Sequence, residues 1–436
     1  MGESLAESLN RDCRCISIDH ARLEAETQRL MEESHVAFGP WDKSALFASV
    51  PVYIGRRHLD EMMETVTVIE ELTTSLVYRQ EVLSRAKDIA KLENPSRGVF
   101  FGYDFHLGQD GPQLIEVNTN AGGAMLNLLL GKAQKACVSG LDVPVECATN
   151  LDELEERFVD MFRSDWELAR GERPLRTIAI VDDAPEDQFL YREFLLFRQL
   201  LKHAGFDAVI VDAASLKYES GQLTFEGKAI DLVYNRLVDF YLEESRHRAL
   251  YDAYVDGSVV VTPHPRAHAL YADKRNLALF RDESFLIRAG LSEAQRATLA
   301  RNVPETRLLQ KSEADAYWRD RKSWFFKPIQ GYGSKAAYRG DKLTKSTFAE
   351  ILERDYVAQR LVPPSQRHVE VEGVVVPLKL DVRCFVYDRK VELWAARLYN
   401  GQTTNFRTLG GGFAPIYTES SAARSTREAA VPRDSS

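Results

Sequence analysis

The chain has 436 residues, too many for one simple core, and its 44% hydrophobic and 28% charged content is ordinary for a globular protein of two or three domains. A formal net charge of −9 argues against a duplex nucleic-acid partner, whose binding energy comes largely from clustered Lys and Arg. No apolar run reaches the ~18 residues that a membrane span needs. The opening MGESLAESLN shows no secretory signal, and Ala6 stands where myristoylation requires Ser or Thr. Cys13, Cys15, Cys137, Cys147 and Cys384 fit neither a disulfide framework nor a tetrahedral zinc pattern. The expectation is a reduced, cytoplasmic protein that acts on small molecules.

Residues 1–95 are expected to be mostly helical, with apolar positions at helical spacing between 58 and 90. Over 98–131 the pattern changes. Two short apolar runs flank the polar turn Gly108-Gln109-Asp110-Gly111, a hairpin signature. The second run ends in the small-residue loop Asn118-Thr119-Asn120-Ala121-Gly122-Gly123. A helix is expected over 151–170. Residues 176–183, 189–205 and 206–212 then read as strand, amphipathic helix and strand. Residues 222–230 read as a hairpin turning at Glu226-Gly227, and 231–237 and 258–263 as two more strands around a helix at 243–255. Such alternation favours a mostly parallel sheet, whose ligands sit beyond the strand C-termini, where Arg236 stands. The last unit, 271–417, holds helical segments, the runs 324–340 and 356–364, and a hairpin in 378–400 turning at Asp388-Arg389-Lys390. From 418 to 436 the chain is rich in Ser, Ala and Arg and reads as a disordered tail.

Four groups of residues could carry chemistry. Lys327 ends an apolar strand and is followed by Gly331, Gly333 and Ser334, which would let backbone N–H groups approach phosphate oxygens. In Asp381-Val382-Arg383, period-two alternation puts the carboxylate and the guanidinium on one strand face. Such a pair suits a metal–phosphate site. Glu116-Val117-Asn118 aims two hard oxygen ligands one way, the type that Mg²⁺ takes. Arg397, Asn405, Arg407 and the glycines 410–412 place cations and pliable backbone near the Asp381 strand. Each group also has a plain structural reading: a strand-end lysine, a same-face ion pair, a turn cap, a chain reversal.

Taken together and in this order, the groups resemble the ATP-grasp superfamily. Asp273-Lys274 matches its first nucleotide lysine, Phe326-Lys327-Pro328 the second, 331–334 the flap, 356–361 the hinge and Asp381-Val382-Arg383 the metal strand. The E-x-N metal motif, Glu116-Val117-Asn118, comes first instead of last. That displacement is similar to the circularly permuted arrangement of eukaryotic glutathione synthetase, and the likeness runs over 100–417. Val233-Tyr234-Asn235-Arg236 resembles that family's substrate-binding arginine strand. Two departures stand out. Gly102 replaces an arginine that would contact the peptide substrate, which argues against glutathione as product. Gln330 stands near a metal-binding glutamate of the flap, so Asp381 is expected to supply that carboxylate.

The resemblance implies an α/β protein with α+β elements: a circularly permuted ATP-grasp fold with an inserted parallel-sheet substrate domain. Its expected domains are 1–175 (helical region plus the E-x-N part), 176–270 (Rossmann-like substrate-binding unit), 271–417 (lysines, flap, hinge, metal strand, glycine loop) and the tail. The implied cofactors are ATP and Mg²⁺. Lys274, Lys327, Gly331, Gly333 and Ser334 would hold the phosphates, and Gln359 and Leu361 the adenine. Glu116, Asn118 and Asp381 would bind the metal. Arg383 and Arg397 would stabilise transferring charge, and Arg236, Asn405 and Arg407 would bind substrate. The implied reaction is ATP-dependent carboxylate–amine ligation through an acyl phosphate, on amino acid or peptide-like substrates. The resemblance also allows a homodimer. Two alternatives stay open: a phosphotransferase acting on a hydroxyl, with His106 as its candidate base, and a non-catalytic nucleotide-binding protein.

Overall fold

The alternation in 374–387 and 390–399 makes one long antiparallel hairpin, Val374–Tyr387 with Lys390–Tyr399. Asp388 and Arg389 turn it with φ of 44° and 67°, the left-handed pair that a two-residue reversal between twisted strands demands. In the computed structural model, which describes residues 3–13, 18–31, 46–108, 110–134, 145–329, 331, 336–402, 404 and 408–420, this hairpin forms the middle of an eight-stranded sheet. Gly412–Glu419 lies on one side of it, with the short strands Val52–Tyr53 and Val145–Cys147 beyond. On the other side lies the expected hairpin, Phe101–Gly108 with Gly111–Asn118. Gln366–Val371 pairs with the first half of the long strand. Strands from both ends of the chain thus share one sheet. Glu116 and Asp381 come into the same sheet with one strand between theirs.

The parallel sheet is present as expected. Val260–Thr262, Leu232–Asn235, Thr177–Asp182 and Asp207–Asp212 lie in that order, all parallel. Its central strands are buried on both faces, which explains their near-continuous apolar runs. Helix Tyr191–His203 packs on it, and with helices Ala124–Lys132 and Leu154–Arg170 it encloses an aromatic cluster of Phe100, Phe158, Phe162, Phe197 and Tyr234. A third, antiparallel sheet contains Thr306–Leu308, Tyr356–Arg360, Trp324–Pro328 and Tyr338–Arg339 and has its own small core around Phe326 and Phe348.

Two expectations need adjustment. The helical stretch at 58–90 is three helices, Arg56–Leu72, Leu76–Ser84 and Asp88–Lys91. The first break falls at Thr73-Thr74-Ser75. There the Thr73 and Thr74 hydroxyls donate to the Glu70 and Glu71 carbonyls, competing with the helical ladder. At the other end, the last strand runs two residues into the segment read as a tail, because Thr418 and Glu419 pair with Glu146 and Val145. Gln330, Gly333, Ser334, Asn405, Arg407 and 421–436 lie outside the described residues.

Candidate active site

The large sheet and the third sheet face each other across a cleft. His106, Ile115, Glu116, Asn118, Arg397 and Tyr399 line it from one side, and Phe325, Lys327, Gln359, Leu361 and Val362 from the other, with Lys274 and Gly331 at its edge. Its lining mixes apolar and aromatic side chains (Phe325, Leu361, Val362, Tyr399) with charged and polar ones (Lys274, Lys327, Arg397, Glu116, Asn118).

Lys327 is buried at the end of its strand. Its ammonium donates to the Gln359 side-chain oxygen at 2.9 Å and to the Ile115 carbonyl at 2.8 Å. Both acceptors are neutral, and among the described residues Lys327 has no ion-pair partner. Burial pushes its pKa down to about 8, with Glu116 pulling the other way. Lys274 donates to the Gly331 carbonyl at 2.9 Å. Two lysines with no carboxylate partner among the described residues thus share one cleft, an arrangement suited to a polyanion.

Asn118 turns its amide nitrogen toward two carboxylates, 3.1 Å from Asp104 and 3.3 Å from Glu116. Its carbonyl oxygen therefore faces the opposite way, and Glu116 lines the cleft beside it. A carboxylate and an amide oxygen together fit a hard divalent cation.

Cross-strand pairs build the floor beneath these charged groups. Asp381 faces Arg397, Arg383 faces Asp104, and Asp104 faces Glu116 across four neighbouring strands. Asp104 is fully buried and is held by Arg383 through two bonds of 2.7 Å and by Arg397 Nη2 at 2.8 Å. Burial raises its pKa, but the two guanidinium groups outweigh that and hold the carboxyl down at about 2. Asp381, also fully buried, accepts from Arg397 Nε at 2.6 Å and from the Thr404 hydroxyl at 2.5 Å. Burial disfavours the Arg397 charge, and Asp104 and Asp381 more than restore it.

No family model matches the sequence, and no curated protein does either. Among solved structures, the chain is similar to a glutathione synthetase-like effector from Globodera pallida in its apo form. That match has a TM-score of 0.55 and 13% identity and covers 85% of this chain and 90% of the other. The chain shares the fold of that glutathione synthetase-like protein. Looser likenesses, on which nothing below rests, are to a candidate γ-glutamylcysteine synthetase from Methylobacillus flagellatus KT and to the ATP-grasp ligase PsnB complexed with minimal precursor, Mg and ADP. The first has a TM-score of 0.47 and 12% identity and covers 80% of this chain and 87% of that one. The second has a TM-score of 0.27 and 16% identity, over 55% and 87%.

Within this fold, the cleft gathers Lys274, Lys327, Gly331, Gln359, Leu361, Glu116, Asn118 and Arg397, eight of the residues singled out in the sequence. Gln359 belongs to Lys327 through its side chain. The Leu361 N–H is bound to the Ser323 carbonyl at 2.9 Å, which leaves its side chain for the cleft. Asp381 and Arg383 do not line the cleft, and their charged groups are turned to Arg397 and Asp104. Arg236 also lies away from it. Its Nη1 donates to the carbonyls of Asn120 at 2.9 Å and Ala121 at 3.4 Å, while its buried Nε has no partner among the described residues. His106 lines the cleft with both ring nitrogens engaged, at 2.8 Å from the Val362 carbonyl and 3.3 Å from the Tyr399 hydroxyl. Burial pulls its pKa down. Since Val362 can only accept, Nδ1 carries the proton.

Asp104 is a site residue for which sequence reasoning had no role beyond its place in the resemblance, as the acid of an Asp-aromatic pair ahead of the E-x-N hairpin. The signal was present: an acidic residue in the otherwise apolar run Phe-Gly-Tyr-Asp-Phe. Elsewhere, Asp183, Glu244 and His247 form a ligand-type cluster on the parallel-sheet unit, but His247 and Arg246 already neutralise the two carboxylates. No helix among the described residues is long and apolar enough to cross a membrane.

Proposed function

We propose that the chain is an ATP-dependent carboxylate–amine ligase on a circularly permuted ATP-grasp fold, acting on amino acid or peptide-like substrates through an acyl phosphate. One observation carries this reading. One cleft brings the buried Lys327 ammonium, which donates only to neutral acceptors, together with Lys274, Glu116, Asn118 and apolar side chains such as Leu361 and Val362, the mixture that a nucleoside triphosphate with its metal calls for.

In this reading Lys274 and Lys327 bind the phosphate oxygens and fix the chain of phosphates along the cleft. Glu116 and Asn118 would hold Mg²⁺, which when bound neutralises phosphate charge. Asp381, expected as a third ligand, would have to give up Thr404 or Arg397 to serve. Arg397 would stabilise the charge that develops as phosphate passes to the substrate carboxylate and as the amine attacks. No covalent enzyme nucleophile is required, since positioning and charge neutralisation carry such transfers. Arg236, expected to bind substrate, is buried away from the cleft and acts instead by holding the loop after Asn118 through the carbonyls of Asn120 and Ala121. The phosphotransferase alternative draws less support, because His106 has both nitrogens occupied.

The test is ADP formation by purified protein with Mg-ATP and pooled amino acids, dipeptides and polyamines, with mass spectrometry of the products. A product one water lighter than the sum of two pool members, formed with ADP, is the expected result. A phosphorylated pool member would move the protein to the phosphotransferase class. ATP binding without turnover across the pools would point to a nucleotide-binding protein.

A further inference from the structure

We infer that Asp104, together with Asp381, is a positioning device for Arg397: two buried carboxylates that clamp one edge of its guanidinium and leave Nη1 for the cleft. The inference deepens the ligase reading above and rests on it for the meaning of Arg397.

The geometry assigns each nitrogen. Arg397 Nε donates to Asp381 at 2.6 Å and Nη2 to Asp104 at 2.8 Å. Nη1 has no partner among the described residues, and Arg397 lines the cleft. A guanidinium tied at two corners by fully buried acids cannot swing, and its remaining N–H pair has one direction left. Arg383 completes the arrangement. It donates to both oxygens of Asp104, Nε to Oδ1 and Nη2 to the Oδ2 that Arg397 shares, so two arginines and two aspartates form a neutral buried group. Neutrality matters because a buried charge without its partner is costly. Asp104 also accepts from Asn118, so the same carboxylate sets the orientation of Arg397 and of the Asn118 amide oxygen. One residue in the floor thus orients a cation and a metal-type ligand that the chemistry needs together.

A purely structural role predicts loss of fold or of all binding when Asp104 changes. A positioning role predicts a split. Asp104→Asn keeps nucleotide affinity within about threefold, because the lysines are untouched. Turnover falls on the order of 10²-fold, the typical loss when a preorganised donor is displaced. The deciding experiment uses guanidinium ion as a stand-in for the Arg397 head group. Arg397→Ala retains the Asp104–Asp381 pocket, so millimolar guanidinium should bind it by calorimetry and restore part of its ADP production. In Arg397→Ala/Asp104→Asn, binding should weaken at least tenfold and rescue should vanish. Equal guanidinium binding by the single and double variants overturns the inference. Binding without rescue, in a preparation whose unsubstituted protein turns over, also overturns it. If the unsubstituted protein turns over nothing, the ligase reading fails, and the calorimetric comparison still decides whether the carboxylate pair is a guanidinium clamp. If Asp104→Asn does not fold, Asp381→Asn in the Arg397→Ala background provides the same comparison from the other side of the clamp.

Discussion

Both carboxylate oxygens of Glu193 lie 2.9 Å from the backbone N–H of Gly123. Glu193 also accepts from Met125 N–H at 3.1 Å, so a helix of the parallel-sheet unit caps the N-terminus of Ala124–Lys132. Arg236 takes the carbonyls of Asn120 and Ala121 from the same side. A carboxylate on the N–H groups and a guanidinium on the C=O groups grip the loop that follows Glu116-Val117-Asn118. Glu193→Ala leaves buried N–H groups unpaired and Arg236 without its neighbouring charge, at a cost of about 3–5 kcal/mol. Urea unfolding measures it, and a loss under 1 kcal/mol would refute the grip. Burial raises the Glu193 pKa, with Arg236 and the N–H groups opposing. The folded state then holds this proton more tightly than the unfolded one. Its contribution is fullest below the ordinary glutamate range and is lost as pH rises through the folded value. Glu193→Gln should flatten that part of the stability–pH profile.

With burial pushing the Lys327 pKa down to about 8, nucleotide binding at the proposed site should be a proton-linked event. Phosphate oxygens beside the amine favour its charged form, so binding above pH 8 should draw in a proton and weaken steadily as pH rises further. Calorimetry at pH 8.5 in two buffers of different ionisation enthalpy should reveal uptake of most of one proton. Lys327→Met should abolish that uptake. An unchanged buffer dependence in the variant would show that the linked proton belongs to another group.

Metal binding should separate the two acidic positions on the sheet. Glu116 lines the cleft with no cation within ion-pair reach among the described residues, whereas both oxygens of Asp381 are spent on Arg397 and Thr404. Glu116→Gln should weaken Mn²⁺ binding, read by electron paramagnetic resonance, by at least tenfold and cut turnover about 10²-fold. Asp381→Asn should leave the Mn²⁺ affinity within about threefold. Equal losses in both variants would return Asp381 to the metal.

The parts of this architecture that were legible in the sequence are those with local causes. Alternation and turn residues announced the hairpins at 101–118 and 374–399, and apolar runs punctuated by helices announced the parallel sheet. Lys327 stood out because it ends an apolar strand beside small residues, whereas Lys274 was found only through the resemblance. Asp104 escaped because its meaning is not local. Its partner Arg383 is 279 positions away, and nothing in the run around Asp104 names that partner. Arg236 was legible as a buried strand-end cation. Its hold on the carbonyls of Asn120 and Ala121 depends on how two units dock, which no spacing within either reveals. The helix break at 73–75 was missed because hydroxyl back-bonding competes with periodicity, and periodicity was the signal in use.

Gly123 offers a sharp test of how tightly the C-terminal strand seals the loop behind the metal motif. Its φ is +103°, and an added Cβ would lie 2.3 Å from the Phe413 ring, which is buried. Alanine there meets a left-handed backbone and a ring that cannot retreat. Gly205 makes the control, with φ of +92° and nothing within 4 Å of an added Cβ. Gly205→Ala should cost only the left-handed penalty, about 1–2 kcal/mol. Gly123→Ala adds overpacking of about 1–3 kcal/mol. Because Gly123 follows Asn118 by five residues and holds the Glu193 bond, its variant should also lose turnover, whereas the control should not. If the two variants unfold at the same urea concentration, Phe413 yields more easily than its burial implies, and the loop is held by Glu193 and Arg236 alone.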